Sequence, residues 1–222
     1  MEQRKILLSF LYGSQNYGLN NPNSDKDYLH VYMPNENDVF YADIDKKILN
    51  TEHDKYMSFP HFIKQVLKGN VNCWECIFST AINIYTYDAR NLLYFLQDNA
   101  QKILQHSAET FVKSAEGFAL NRLNEYNKKE LSRAYYFALL AGKVVSDNMM
   151  MSCESWRNSQ ICYIPYLIRY SNYEEIHGDD VKSMFKSLTN KELNFDNNSK
   201  SNILAVGKAE DMAKKLFFKE VL

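Results

Sequence analysis

The segment Gly13-Ser14-Gln15-Asn16-Tyr17-Gly18, followed by Ser24-Asp25-Lys26-Asp27-Tyr28, decides how this chain is read. Just before it, residues 5–12 form a short apolar run ending at Gly13, which predicts a buried strand. Between the two blocks, residues 16–23 are rich in Asn and Gly with one Pro, a loop signature. Residues 27–33 then alternate apolar and polar, with Tyr28, Val31 and Tyr32 favouring strand, and Pro34 ends the run. The order is strand, glycine turn, loop, strand.

The chemistry follows from that order. Residues i and i+2 of a strand point to one face, so Asp25 and Asp27 are expected side by side. Adjacent carboxylates each disfavour ionisation of the other. A divalent cation removes the conflict, and Mg²⁺ is typically held by one or two carboxylates plus substrate phosphates. Glycine at Gly13 permits close backbone approach to a ligand. A turn with free backbone N–H groups and the Ser14 hydroxyl can cradle phosphate oxygens. A phosphate cradle, a loop and a carboxylate pair make the layout that phosphoryl or nucleotidyl transfer requires.

The pattern strand, Gly-Ser, loop, Asp-x-Asp, strand resembles the nucleotidyltransferases of the DNA polymerase β superfamily. The wording Gly13-Ser14-x-x-Tyr17-Gly18, Ser24-Asp25-x-Asp27-Tyr28 and Pro34 resembles a bacterial and phage branch that includes RNA-repair-associated nucleotidyltransferases. That branch continues with a helix, a Gly-Asn and a Glu, matched here by Ser58-Phe59-Pro60-His61-Phe62, Lys68-Gly69-Asn70 and Glu75-Cys76-Ile77-Phe78. The resemblance covers residues 6–80. It implies that Gly13 and Ser14 grip the β- and γ-phosphates of an NTP, with ATP the favoured nucleotide. It implies that Asp25 and Asp27 bind two Mg²⁺ or Mn²⁺ ions, with a third carboxylate on a later strand. Asp54 is the candidate for that third ligand and Glu52 the alternative. In similar enzymes a helical domain supplies cations to the triphosphate, and Arg133 and Lys143, ten residues apart on one predicted helix, are the candidates. The implied reaction moves an NMP from the NTP to a hydroxyl and releases pyrophosphate. The acceptor stays open between an RNA or tRNA end, a protein hydroxyl and a small molecule. The alternative is a catalytically inactive nucleotide-binding protein of regulatory or antitoxin-like character, favoured if no third carboxylate is in place.

Outward from the two blocks, residues 47–50 and 51–57 predict further short strands. Phe59, Phe62, Ile63, Val66 and Leu67 recur at helical spacing, with Ser58 as N-cap, Pro60 in the first turn and Gly69 as the stop. Beyond residue 87 the pattern is helical. Helices are predicted over 89–104, 109–126, 130–145, 161–169, 173–188 and 203–218, the last after a polar stretch at 194–202. Leu131, Tyr135, Ala138, Leu139 and Gly142 mark the expected core face of the third. The expected fold class is α+β: a small nucleotidyltransferase-type mixed sheet with helices over 1–86, then an all-helical bundle over 87–222, with a soft boundary near 80–90.

Composition narrows the choices. The 222 residues are 45% hydrophobic and 24% charged with a net charge of −1, which excludes a strongly basic nucleic-acid coat protein. No run approaches 18 uncharged apolar residues, so no membrane partner is expected. The N-terminal apolar run is too short for a signal peptide, and four cysteines suit a reducing compartment; a cytoplasmic protein is expected. Cys73-Trp74-Glu75-Cys76 invites a zinc reading, but Cys153 and Cys162 have no His between them, so core packing is expected. Glu75 reads either as a functional residue or as an anchor of its helix to the nucleotide-binding turn, with the structural role favoured. Met149-Met150-Met151 reads as gap-filling at a helix end. Tyr135, Tyr136 and Phe137 could stack a base, yet aromatics on a helix are more often core.

Overall fold

The computed structural model of this chain describes residues 4–16, 19–20, 24–35, 49–51, 54–123, 127–145, 159–171, 176–190 and 199–221. Tyr17, Gly18, Glu52, Cys153 and Met149-Met150-Met151, together with most of the polar 194–202 stretch, lie outside the described residues.

The architecture is α+β, with the helical part C-terminal to the sheet. Five described strands form one mixed sheet: β1 (Ile6–Tyr12), β2 (Asp27–Tyr32), β3 (Leu49–Asn50), β4 (Asp54–Ser58) and β5 (Ile82–Ile84), in the order β3-β4-β2-β1-β5. β1 runs antiparallel to β2 and β5, and β2 runs parallel to β4. Register joins Tyr12 to Asp27, Ser9 to His30, Tyr28 to Asp54 and Leu29 to Lys55. A connection as long as the one between β2 and β4 suits parallel pairing.

Helices α1 (Phe59–Leu67) and α2 (Val71–Ile77) cover one sheet face. Phe62 of α1 stacks on Phe10 of β1 with ring centroids 5.4 Å apart. The Trp74 indole N–H donates to the Val66 carbonyl at 2.8 Å and ties α2 to α1. Ser58 occupies the expected N-cap position and Pro60 the first turn. Gly69 has φ +78, and a Cβ there would stand 2.9 Å from Ser107 Oγ and 3.1 Å from the Phe111 nitrogen. Only glycine fits that corner. Asn70 then caps α2, accepting from the Asn72 and Cys73 amides.

The helical part comprises α3 (Tyr87–Asp98), α4 (Ala100–His106), α5 (Ala108–Leu123), α6 (Lys128–Val145), α7 (Ser159–Tyr170), α8 (Gly178–Asn190) and α9 (Lys200–Val221). The helix expected over 89–104 is two helices. Asn99 breaks it with φ −109 and ψ 14, and its side chain donates to the Phe95 carbonyl at 2.9 Å. A side-chain amide competing for a helix carbonyl is how Asn disfavours helix interiors. α6 is central, touching α4, α5, α7 and α8. Its buried face is therefore not the expected stripe: of those five residues only Ala138 is buried, with Ala134, Tyr136, Phe137, Leu140, Ala141 and Val144, while Leu131, Tyr135, Leu139 and Gly142 are half-buried. Tyr136 and Phe137 are thus core. α9 returns to lie on α1, α3 and α4, and one hydrophobic cluster runs from Leu7 in β1 to Leu216 in α9. No described helix is long and apolar enough to cross a membrane.

Candidate functional site

The sheet face beneath α1 and α2 opens, at the end of β1, into a cleft of about 530 Å³. Strand alternation decides what enters it. Tyr12 and Asp27 are cross-strand partners, and Leu29, Lys55 and Met57 share their face; all five line the cleft. His61 and Gln65 reach it from α1, Asn70, Asn72, Cys73 and Cys76 from the α2 end, Phe118 and Arg122 from α5, and Arg133 from α6.

Gly13 begins a short 3₁₀ turn, Gly13–Gln15, with φ +77. A Cβ at Gly13 would lie 3.2 Å from Asp27 Oδ2, so the missing side chain is the space the carboxylate uses. Gln15 donates its side-chain amide to the Ser24 carbonyl at 3.0 Å, drawing the second block back onto the first. Asn16 is buried; its side chain donates to the Glu75 carbonyl at 3.0 Å and accepts from the Thr80 amide at 2.9 Å. The turn is thereby fastened to α2 and to the approach to β5.

The structure brings together three of the candidate nucleotide- and metal-binding residues: Gly13, Asp27 and Arg133. Ser14 follows Gly13 in the same turn. Asp25 is exposed and does not line the cleft, because β2 begins only at Asp27 and the strand alternation does not reach back to Asp25. Lys143 is buried further along α6, away from the cleft lining. Asp54 is in register with Tyr28, not Asp27, and belongs to the opposite sheet face. There its Oδ1 lies 3.4 Å from His30 Nε2, while His30 Nδ1 lies 2.7 Å from the buried Ser9 hydroxyl. The cleft-facing position of β4 next to Asp54 is Lys55.

The electrostatics favour an anionic ligand. The described lining carries Lys55, Arg122 and Arg133 against the carboxylate of Asp27, and Glu130 behind it pairs with both arginines, which leaves one positive charge in excess. Lys55 Nζ lies 5.0 Å from the Tyr12 ring centroid, a cation–π contact. The Tyr12 phenol is raised above its ordinary value, first by burial and then by the Asp27 charge, so it stays a neutral donor. Burial pushes the Cys73 thiol up to about 12 and the Cys76 thiol well above its ordinary value. Both are free thiols in the cleft floor, and the described residues contain no group of three His, Cys, Asp or Glu side chains suited to a metal ion. A pair of Mg²⁺ ions calls for several converging carboxylates, whereas one ion carried in by phosphates needs one or two. Asp27 fits the second case; the described lining does not fit the first.

Lys55, Arg122, Tyr12 and Gln15 were not singled out from sequence. Lys55 was within reach, since it follows Asp54 on a strand and must face the other way. Arg122 carries no motif. No family model matches the chain, and no curated protein or solved structure matches it.

Proposed function

We propose that the cleft binds a nucleoside triphosphate, with ATP the first candidate, and that the chain is a nucleotidyltransferase moving an NMP to a hydroxyl acceptor with release of pyrophosphate. The observation that supports it is the meeting of the Gly13 turn, Asp27 and Arg133 in one cation-rich cleft. In this reading the turn receives the terminal phosphates, Arg133 and Lys55 neutralise them, and Asp27 would hold a magnesium ion that arrives with the nucleotide. Bound there, such an ion would supply neutralisation of phosphate charge. An RNA end is the first acceptor to test, ahead of protein and small-molecule hydroxyls.

A second reading, nucleotide binding without transfer, is favoured by one observation: Asp54 faces His30 and not the cleft. The experiment that separates the two is incubation with labelled NTPs, Mg²⁺ or Mn²⁺ and, in turn, total RNA, protein extract and small hydroxyl acceptors. Label transfer with pyrophosphate release, lost in Asp27→Asn, supports the transferase. Tight NTP binding with no transfer to any acceptor selects the binder.

A further inference from the structure

Glu130 stands in the first turn of α6, its carboxylate almost fully buried. Asn127 caps that turn by accepting from the Glu130 amide at 2.8 Å. One carboxylate oxygen takes a hydrogen bond from Arg122 Nη1 and the other takes one from Arg133 Nη1 at 3.2 Å. Arg122 comes from the last turn of α5, and its guanidinium also lies over the Phe118 ring, 4.7 Å from the centroid. Both arginines and Phe118 line the cleft. Two guanidiniums on one carboxylate leave the cluster with one net positive charge, partly buried, and with donors unused by Glu130. Partly desolvated excess charge is costly unless an anion arrives to meet it. Arg is the side chain suited to phosphate oxygens, because its planar fork bonds two at once.

We infer that Glu130 is a positioning residue: it fixes Arg122 and Arg133 as a paired subsite for the phosphates of a polyanionic ligand in the cleft. This rests on the triphosphate reading above. The carboxyl stays ionised in the fold: burial raises it, but the Arg122 hydrogen bond and the Arg133 charge outweigh burial and hold it below its ordinary value. A positioning role and a mere counterion role make opposite predictions. Removing a negative charge beside an anion site strengthens anion binding if Glu130 only neutralises. It weakens binding if Glu130 holds the forks in place.

The test is calorimetric titration of the full chain with inorganic tripolyphosphate in the presence of Mg²⁺ at fixed ionic strength, with folding checked by thermal melting. Glu130→Gln is expected to weaken binding about tenfold, the worth of one charge-assisted hydrogen bond, despite its favourable charge change. Arg122→Lys keeps both the charge and Glu130, and is expected to lose a similar factor. The two losses should not multiply in the double variant, since both break one arrangement. Unchanged or tighter binding in a folded Glu130→Gln protein overturns the proposal. So does an Arg122→Lys protein that binds as the wild type does, a result that needs no change at the buried carboxylate. If the wild type binds no tripolyphosphate, the triphosphate reading falls and this proposal falls with it.

Discussion

The two faces of the sheet each carry an aspartate at the start of a strand, yet they put it to different uses. Asp27 opens β2 on the face that holds the cleft, beside Gly13 and Tyr12. Asp54 opens β4 on the other face, against His30, which sits between Tyr28 and Tyr56 with centroids 6.1 and 4.9 Å away. The difference is one residue of register: β4 pairs Asp54 with Tyr28 rather than with Asp27. A one-residue slip moves every side chain of a strand to the opposite face. Spacing within a strand therefore says which residues travel together. Only the pairing between strands says which of them meet.

The two aspartates are where the two faces should differ most in their response to substitution. Asp27→Asn is expected to abolish magnesium-dependent NTP binding, a loss of more than about a hundredfold, because it removes the carboxylate of the described cleft lining. Asp54→Asn should leave that affinity within a few-fold, and transfer too if Asp54 does no work in the cleft. Calorimetry and the labelled-NTP assay on both folded variants decide it. A fall in transfer of orders of magnitude in Asp54→Asn alone, with binding intact, marks an interaction made mainly in the transition state. That outcome would return Asp54 to the reaction and set aside the division between the faces.

The next effect concerns the scaffold of the cleft face. Gly69→Ala forces a left-handed residue against Ser107 and Phe111 and should cost about 2–4 kcal/mol of stability. Gly13→Ala is also left-handed, but its Cβ meets a side-chain oxygen, Asp27 Oδ2, which can move. It should cost about 1–2 kcal/mol and weaken nucleotide binding by displacing Asp27. Denaturant melts of the two variants check the order. If Gly13→Ala proves the more damaging to stability, the turn is a folding element first and a site second.

The cysteines of the cleft floor give a chemical readout. Folding favours the neutral Cys73 thiol, whose value rises from 9.0 to about 12. Its contribution to stability is thus complete below the unfolded value of 9.0 and is lost as pH rises through 12. A Cys73→Ala protein should show a shallower loss of stability over that alkaline range than the wild type does. Native Cys73 and Cys76 should resist alkylation at about pH 8 and react once the chain is denatured, since the thiolate is the nucleophile. Rapid native labelling would mean the floor of the cleft opens.

Much of this was legible from residue types. The apolar run, the Gly-Ser turn and the alternation of 27–33 announce β1, the turn and β2. The α1 boundaries expected from Ser58, Pro60 and Gly69 are where the helix starts and stops, although Ser58 makes no side-chain capping bond. What sequence could not supply was anything set by meeting across the chain. The parallel pairing of β2 with β4 turned Asp54 away, and the late start of β2 left Asp25 exposed. Arg122 enters the cleft only because α5 and α6 pack side by side and Glu130 ties them. No local pattern marks a residue whose role depends on a neighbouring helix.

The smallest expected effect lies on the face away from the cleft. The Asp54 side chain is 37% exposed and its oxygen lies 3.4 Å from His30 Nε2, so the pair is near the surface and loosely made. Such pairs contribute about 0.2–1 kcal/mol. Ser9 differs: it is buried, and its hydroxyl lies 2.7 Å from His30 Nδ1. Losing that hydroxyl strands a ring nitrogen in a poorly solvated place, at about 1–3 kcal/mol. Asp54→Asn should therefore destabilise the fold less than Ser9→Ala does, in denaturant titrations at neutral pH. The order follows from burial, because an exposed partner is replaced by water and a buried one is not. A reversed order would show that Asp54 holds β4 in register, and with it the separation of the two faces. Asp54→Asn would then also loosen the cleft, and its NTP affinity would fall together with its stability.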